Sequence, residues 1–382
     1  MSLETQGEAA LAGDETLARV ARTLIELASV SSVSGREDEA RAYVRGRLER
    51  LGLAPTTDAA GNLIARVPGS PPERDAERPL LLNAHLDRVP PGLAHMPVVA
   101  DGVMRSDGTT NLGADDSAGI AIILETLQAL RARDLPHPPL LALFTTGEEV
   151  GLTGAKAFDP EPWGAVDGLI FDNAGEAGVA VTRAATYIAF DVVIHGSGGH
   201  PGKSMDGAVS AIEIFRRASY PWGSLDGDTT RVSVGRIEAG TARNAIPREL
   251  RAQGEIRTLL EGDAREALQA SIARAFTEAA EALGGAAAVS FDPHCDSYTV
   301  ADGEPALVAW RAAVEARGGT FRTMTTFIGS DASALRRHIR AVTISTGAMN
   351  EHTTEEYIAL APLAELVETA VNLVAGWGGA RG

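Results

Sequence analysis

The stretch PLLLNAHLD, residues 79–87, runs three leucines into a histidine and an aspartate. An unbroken apolar run of this kind predicts a strand covered on both faces, since a half-exposed strand would alternate. Similar short runs recur as NLIARV (62–67), LLALFTT (140–146), GLIF (168–171) and AVTIS (341–345). Helical patterns fall between them. Residues 15–29 and 36–51 read as amphipathic helices, with Gly52 as a stop. DSAGIAIILETLQALRAR (116–133) reads as another. Strands alternating with helices predict an α/β domain, a sheet covered by helices.

The middle of the chain has a different rhythm. A strand is expected over 187–195, a helix over 205–219, strands over 231–238 and 248–257, a helix over 263–284 and a strand over 287–292. This β-α-β-β-α-β order is that of a ferredoxin-like α+β unit. The expected organisation is a discontinuous large domain, residues 1–183 and 297–382, with a smaller domain, 184–296, inserted into it.

Composition narrows the function. The chain has 382 residues, with 34 basic against 51 acidic side chains and a formal net charge of −17. That balance argues against nucleic acid as a partner. Cys295 is the single cysteine, so no intrachain disulfide forms, and a reducing compartment fits. Its neighbour His294 points the other way in an extended segment, so the pair reads as structural. The first 20 residues lack the basic and apolar regions of a secretory leader, and no apolar run is long enough to span a membrane. A cytoplasmic location is expected.

Metal-type side chains follow the apolar runs. His85 and Asp87 end the first, Glu148 and Glu149 follow LLALFTT, Asp172 follows GLIF, and His352 follows AVTIS. Asp115 and Asp116 open a helix. Singly, each has a plain alternative: a solvated acidic pair, a core histidine, a helix cap or a turn aspartate. Ligands in open α/β sheets gather outside the carboxyl ends of the strands, so these segments converge on one rim. Two histidines with several carboxylates suit zinc, or manganese or cobalt. There are enough of them for two metals about 3.5–4 Å apart sharing a carboxylate. Adjacent Glu148 and Glu149 diverge, so one can bind metal while the other faces water. Asp87, two residues after His85, is placed to orient its imidazole.

The ordered series LNAHLD, LGADDSAG, TTGEEVG, FDNAG, GHPG, GTARNAIP, GEIR, IGSDASAL and NEHTTEEY resembles the M20 family of zinc metallopeptidases. LGADDSAG and HTTEEY lean toward its peptidase T-like aminopeptidase branch. The resemblance spans nearly the whole chain and implies roles. Asp115 would bridge two zinc ions, with the Asp115–Asp116 peptide cis. His85 and Asp172 would ligate one ion, and Glu149 and His352 the other. Glu148 would be the general base, activating a metal-bridging water for attack on the amide bond of a short peptide. Asp87 would assist it through His85. His200 of GHPG would reach the active site of a second subunit in a homodimer formed through the inserted domain, whose helix SAIEIFRR (210–217) is a candidate contact. That domain would close over the substrate. Asn244 and Arg257 would hold substrate backbone or carboxylate. The match departs at TTFIGSDAS, where Phe327 and Ile328 precede Gly329; peptidase T carries an arginine beside the equivalent segment. An N-acyl amino acid deacylase or a carboxypeptidase would use the same metal centre.

The glycine-rich HGSGGHPGKS (195–204) offers a rival reading, a nucleotide-binding loop. The phosphate loop needs a glycine five residues before Gly202, where Ser197 stands. Pro201 also removes a backbone N–H from a loop that would have to present them.

Overall fold

The structure, a computed structural model, describes residues 15–203 and 205–378. Residues 1–14, most of the stretch read above for a leader, and Ser204 of the glycine-rich loop lie outside them. Four strands run parallel and side by side in the order Leu140–Thr145, Leu80–His85, Asp167–Ile170 and Arg340–Ile344. Every residue of the first two is buried, as their unbroken apolar sequence requires. The helix Ala114–Ala132 packs on Leu80–His85, and the helix Pro305–Ala316 on the last two strands. Antiparallel neighbours extend the block. Leu63–Val67 pairs with Leu140–Thr145, and Ala180–Ala184 with Arg340–Ile344. The sheet is therefore mixed.

Parallel register sets where side chains emerge. His85 pairs with Thr145, and Asn83 with Ile170. The carboxyl ends of the strands thus finish together, and the connecting segments beyond them leave the sheet at one edge.

The described residues divide into two compact units. The first runs to Arg183, then takes in Thr299–Thr325 and the chain from Ser330 onward. The second is Ala184–Tyr298 together with the four residues Thr326–Gly329. Its sheet is antiparallel throughout, in the order Gly223–Leu225, Thr230–Ala239, Glu249–Thr258, Thr186–His195, Ala286–Cys295. Strand Thr186–His195 alternates in burial, and Ile188, Phe190, Val192 and Ile194 pack into a core with Ile214, Ile272 and Phe276. The helix expected over 205–219 covers only Ala211–Arg217. Ser210 is extended and its hydroxyl accepts the Glu213 N–H at 3.4 Å, which starts the helix there; Ala218 is extended again and ends it. The loop after His195 therefore does not open directly onto a helix, as a phosphate loop must. His294 lies against Tyr187 at 4.7 Å between ring centroids, while Cys295 is buried. No helix among the described residues is long and apolar enough to cross a membrane.

Candidate metal centre

The rim of the first unit gathers the side chains at the ends of its strands. Nε2 of His85 lies 3.1 Å from Oδ1 of Asp115 and 3.8 Å from Oδ1 of Asp172. Nε2 of His352 lies 3.2 Å from Oδ2 of Asp115 and 3.0 Å from Oε1 of Glu149. Asp115 thus turns one carboxylate oxygen to each histidine. Two three-residue groups have donor atoms close enough to share an ion: His85, Asp115 and Glu149, and His85, Asp116 and Asp172.

Backbone geometry aims these groups. The Asp115–Asp116 peptide is cis, and neither residue has helical dihedrals although both open the helix Ala114–Ala132. Asp116 turns inward, where its carboxylate accepts the His85 N–H at 3.0 Å and the Gly119 N–H at 3.1 Å. A Cβ on Gly119 would stand 2.1 Å from the Phe171 carbonyl oxygen and 2.5 Å from Asp116 Oδ1, so only glycine fits there. Glu356 fixes the entrance to the helix from the far end of the chain. Its two oxygens accept the N–H of Gly113 at 2.7 Å and of Asp115 at 2.9 Å.

Asp87 ties two strand ends together. Its carboxylate accepts the N–H of Glu148 at 2.9 Å and of Glu149 at 3.2 Å, and the Ser34 hydroxyl at 2.7 Å. Nδ1 of His85 is nearer the Asp87 carbonyl oxygen, 3.0 Å, than its carboxylate, 3.4 Å. A carbonyl only accepts, so Nδ1 carries a proton, and Nε2, turned toward Asp115 and Asp172, is the nitrogen a metal would take. Glu148 is half-buried, and its carboxylate makes no hydrogen bond among the described residues. Behind it, buried Asp331 accepts from Thr145.

The electrostatics call for a cation. Burial, then the charge of Asp172, pushes the Glu148 carboxyl well up. Burial and neighbouring carboxylates do the same to Asp116 and Asp172. Burial alone would lower His85, but Asp115 and Asp87 outweigh it and raise it well above the usual histidine value. Hydrogen bonds from its Nε2–H to the carboxylates of Asp115 and Glu149 raise His352 to about 10. Buried Oδ2 of Asp172 has no hydrogen-bond partner. A nitrogen-and-oxygen donor set, crowded carboxylates and an orphaned buried oxygen all fit bound divalent metal.

A model of peptidase family M20/M25/M40 matches residues 81–376. This chain belongs to that family. The resemblance carried by the motifs is borne out, and with it the mixed α/β fold class. The chain is 32% identical over 368 residues to the protein YqjE of Bacillus subtilis (strain 168), covering 94% of this chain and 97% of YqjE. The aminopeptidase PepT of Bacillus cereus superposes with a TM-score of 0.86 at 32% identity, over 94% of this chain and 98% of that one. A tripeptidase of Staphylococcus aureus gives a TM-score of 0.88 at 28% identity over the same shares. The chain is thus a PepT-like M20 peptidase.

The remaining residues singled out in the sequence lie in the second unit. His200 and Asn244 are both exposed. Gly199 and Ile246 form an isolated β-bridge, with the Ile246 N–H donating to the Gly199 carbonyl at 2.8 Å. That bridge brings GHPG and RNAIP side by side. Nδ1 of His200 accepts the Gly202 N–H at 3.1 Å. Arg257 lies across the strand from Tyr187 and donates from Nη1 to the Phe327 carbonyl at 2.9 Å. Asp116 was singled out only as a metal-type side chain at a helix start and was given no ligand role, and Asp331, Ser34 and Glu356 were not singled out as site residues. Glu356 and Asp331 stood within quoted motifs, which was the one signal available for them.

Proposed function

We propose that this M20 chain is a two-metal aminopeptidase that releases the N-terminal residue of short peptides. The observation that carries this reading is the position of Asp115 between His85 and His352, with the Glu148 carboxylate close to Asp172 and His85 and making no hydrogen bond among the described residues. His85, Asp172 and Asp115 would hold one ion, and Glu149, His352 and Asp115 the other. Zinc suits the set, with manganese or cobalt as substitutes. When bound, the metal pair would polarise the scissile carbonyl and lower the pKa of water. Glu148 would take a proton from the attacking water and hand it to the leaving amine. Asp87 would hold the backbone of Glu148 and Glu149 in place while its carbonyl fixes His85. His200 would contribute to the oxyanion site of a second subunit, with Asn244 and Arg257 on the substrate. The single cysteine fits a reducing, cytoplasmic setting, and the protein would act as a homodimer joined through the inserted domain. The PepT and tripeptidase relatives support the choice of aminopeptidase.

The test is metal analysis of the purified protein coupled to a screen of tripeptides, dipeptides and N-acyl amino acids. Two equivalents of metal and loss of the N-terminal residue from tripeptides are expected. Release of a C-terminal residue, or cleavage of N-acyl amino acids alone, would overturn the aminopeptidase assignment.

A further inference from the structure

Arg88 follows Asp87 directly in the sequence and is buried, with only 2% of it exposed. Its backbone is pinned on both sides. Its N–H donates to the Ser32 carbonyl at 2.8 Å, and its carbonyl accepts the Ser34 N–H at 3.3 Å. The side chain runs inward. Nη2 donates to the carbonyls of Leu27 at 2.5 Å and Val30 at 3.0 Å, at the end of the helix Glu15–Ala28. A cation suits a helix C-terminus, which offsets part of the cost of burying it. The remainder stands. Nε and Nη1 are buried without a hydrogen-bond partner among the described residues, which leaves three N–H groups idle. Burying a guanidinium with no carboxylate bonded to it is costly. A helix cap needs one or two donors, whereas this residue brings a full charge into the interior.

What that charge lies against is the entrance to the helix Ala114–Ala132. A Cβ on Gly113 would stand 2.4 Å from Cδ and 2.5 Å from Nε of Arg88, and Gly113 is left-handed, with φ at 75°. Only glycine lets the backbone rest on the arginine at this point. The N–H of the same Gly113 is held by one oxygen of Glu356 at 2.7 Å, and the other oxygen holds the N–H of Asp115 at 2.9 Å. Glu356 is buried as well, and it is the carboxylate whose charge acts on Arg88. Gly113 is thus gripped from two sides, by the arginine stem and by the glutamate, two residues before the carboxylate that turns one oxygen to each histidine. All of these residues belong to the first unit.

We infer that Arg88 is a positioning residue for the metal centre: its stem seats Gly113 and its charge balances that of Glu356, and together they present Asp115 to both histidines. Arg88 touches neither a metal ligand's side chain nor a substrate; it acts through Gly113 and Glu356. The inference rests on the two-metal reading proposed above and extends the set of residues that build the site.

The test is titration of the metal-free whole chain with cobalt(II), read by affinity and by the visible absorption of the bound ion. The proteins are the wild type, Arg88→Met, Arg88→Lys, Glu356→Gln and the double variant Arg88→Met with Glu356→Gln. Arg88→Met should weaken cobalt binding by about tenfold or more, the scale of a lost supporting residue, and shift the spectrum. Arg88→Lys keeps the stem and the charge and should stay within about threefold of the wild type. Since both residues act on one segment, adding Arg88→Met to Glu356→Gln should weaken binding by less than about a further threefold. A residue that only caps the helix would lower the melting temperature of the metal-free protein and leave cobalt affinity alone. Wild-type affinity and spectrum in Arg88→Met, whatever its melt, would therefore overturn the inference. So would full additivity with Glu356→Gln, or a lysine variant as damaged as the methionine one. Should Arg88→Met not fold, Arg88→Gln, neutral but still able to donate to a helix carbonyl, is judged by the same outcomes. A wild type that takes up no divalent metal sinks the two-metal reading and this inference with it, whereas normal uptake with an unaffected Arg88 variant sinks this inference alone.

Discussion

The carboxylate of Asp87 accepts the backbone N–H of Glu148 at 2.9 Å, joining the end of one central strand to the turn beyond its neighbour. It also accepts from Glu149 at 3.2 Å. An asparagine has one acceptor oxygen and would face one of these N–H groups with another donor. Asp87→Asn should therefore lower metal affinity and turnover by about 10–100-fold, with the melting temperature of the loaded protein falling as metal binding weakens. Metal titration followed by kinetics checks this. Wild-type affinity with unchanged turnover would remove Asp87 from the site.

Glu148→Gln should keep both metals and lower kcat by about 100–10,000-fold, the usual span for a lost general base. Metal content by elemental analysis must accompany the kinetics. A variant that turns over normally with full metal occupancy would transfer the base role elsewhere.

Chelation should abolish activity reversibly and lower the melting temperature. Without a cation, Asp115, Asp116, Asp172, Glu148 and Glu149 crowd one pocket, and burial together with that repulsion raises the pKa values of Asp116, Asp172 and Glu148. A ligand at 100 times its Kd contributes about 2.7 kcal/mol to stability. Calorimetry of loaded and stripped protein measures the difference, and identical melts would argue against a resident metal.

His200→Ala should reduce turnover while metal content stays at wild type. Mixing it with Glu148→Gln should recover activity if the histidine of one subunit serves the base of another. Mixtures as inactive as their components would place His200 in its own subunit's site, or outside catalysis.

Alkaline stability should depend on Tyr43. Burial, then the hydrogen bond to Glu26 at 2.7 Å, raises its pKa from 10.0 to about 12. The folded state therefore holds the phenol proton after the unfolded chain has released it. This contribution is complete below pH 10 and is lost as pH rises toward about 12. Urea titrations between these limits should show a steeper decline for the wild type than for Tyr43→Phe. Parallel declines would contradict the assignment.

Much of this architecture was legible because it rests on repeated signals. The run at residues 80–85 reads as a buried strand since all six side chains are buried. The metal-type residues were recognisable because parallel strands deliver their trailing segments to one edge. Glu356 carried no such signal. It acts through backbone N–H groups more than 240 residues away in sequence, and a single carboxylate says nothing of which amides it will meet. Asp331, buried against Thr145, is hidden for the same reason. The helix expected at 205–219 overreaches because apolar spacing cannot show that Ser210 turns extended and caps.

Thr326–Gly329 packs with the second unit although its sequence belongs to the later part of the chain. The Thr326 carbonyl accepts the Ala185 N–H at 3.0 Å, and the Phe327 carbonyl holds Arg257. A fragment cut out at Ala184 and Tyr298 would lose both partners. This module is therefore not portable as one contiguous block: a chimera between relatives would have to carry four residues from a distant stretch of the gene, and recombination at the two obvious junctions would leave the graft with a missing piece.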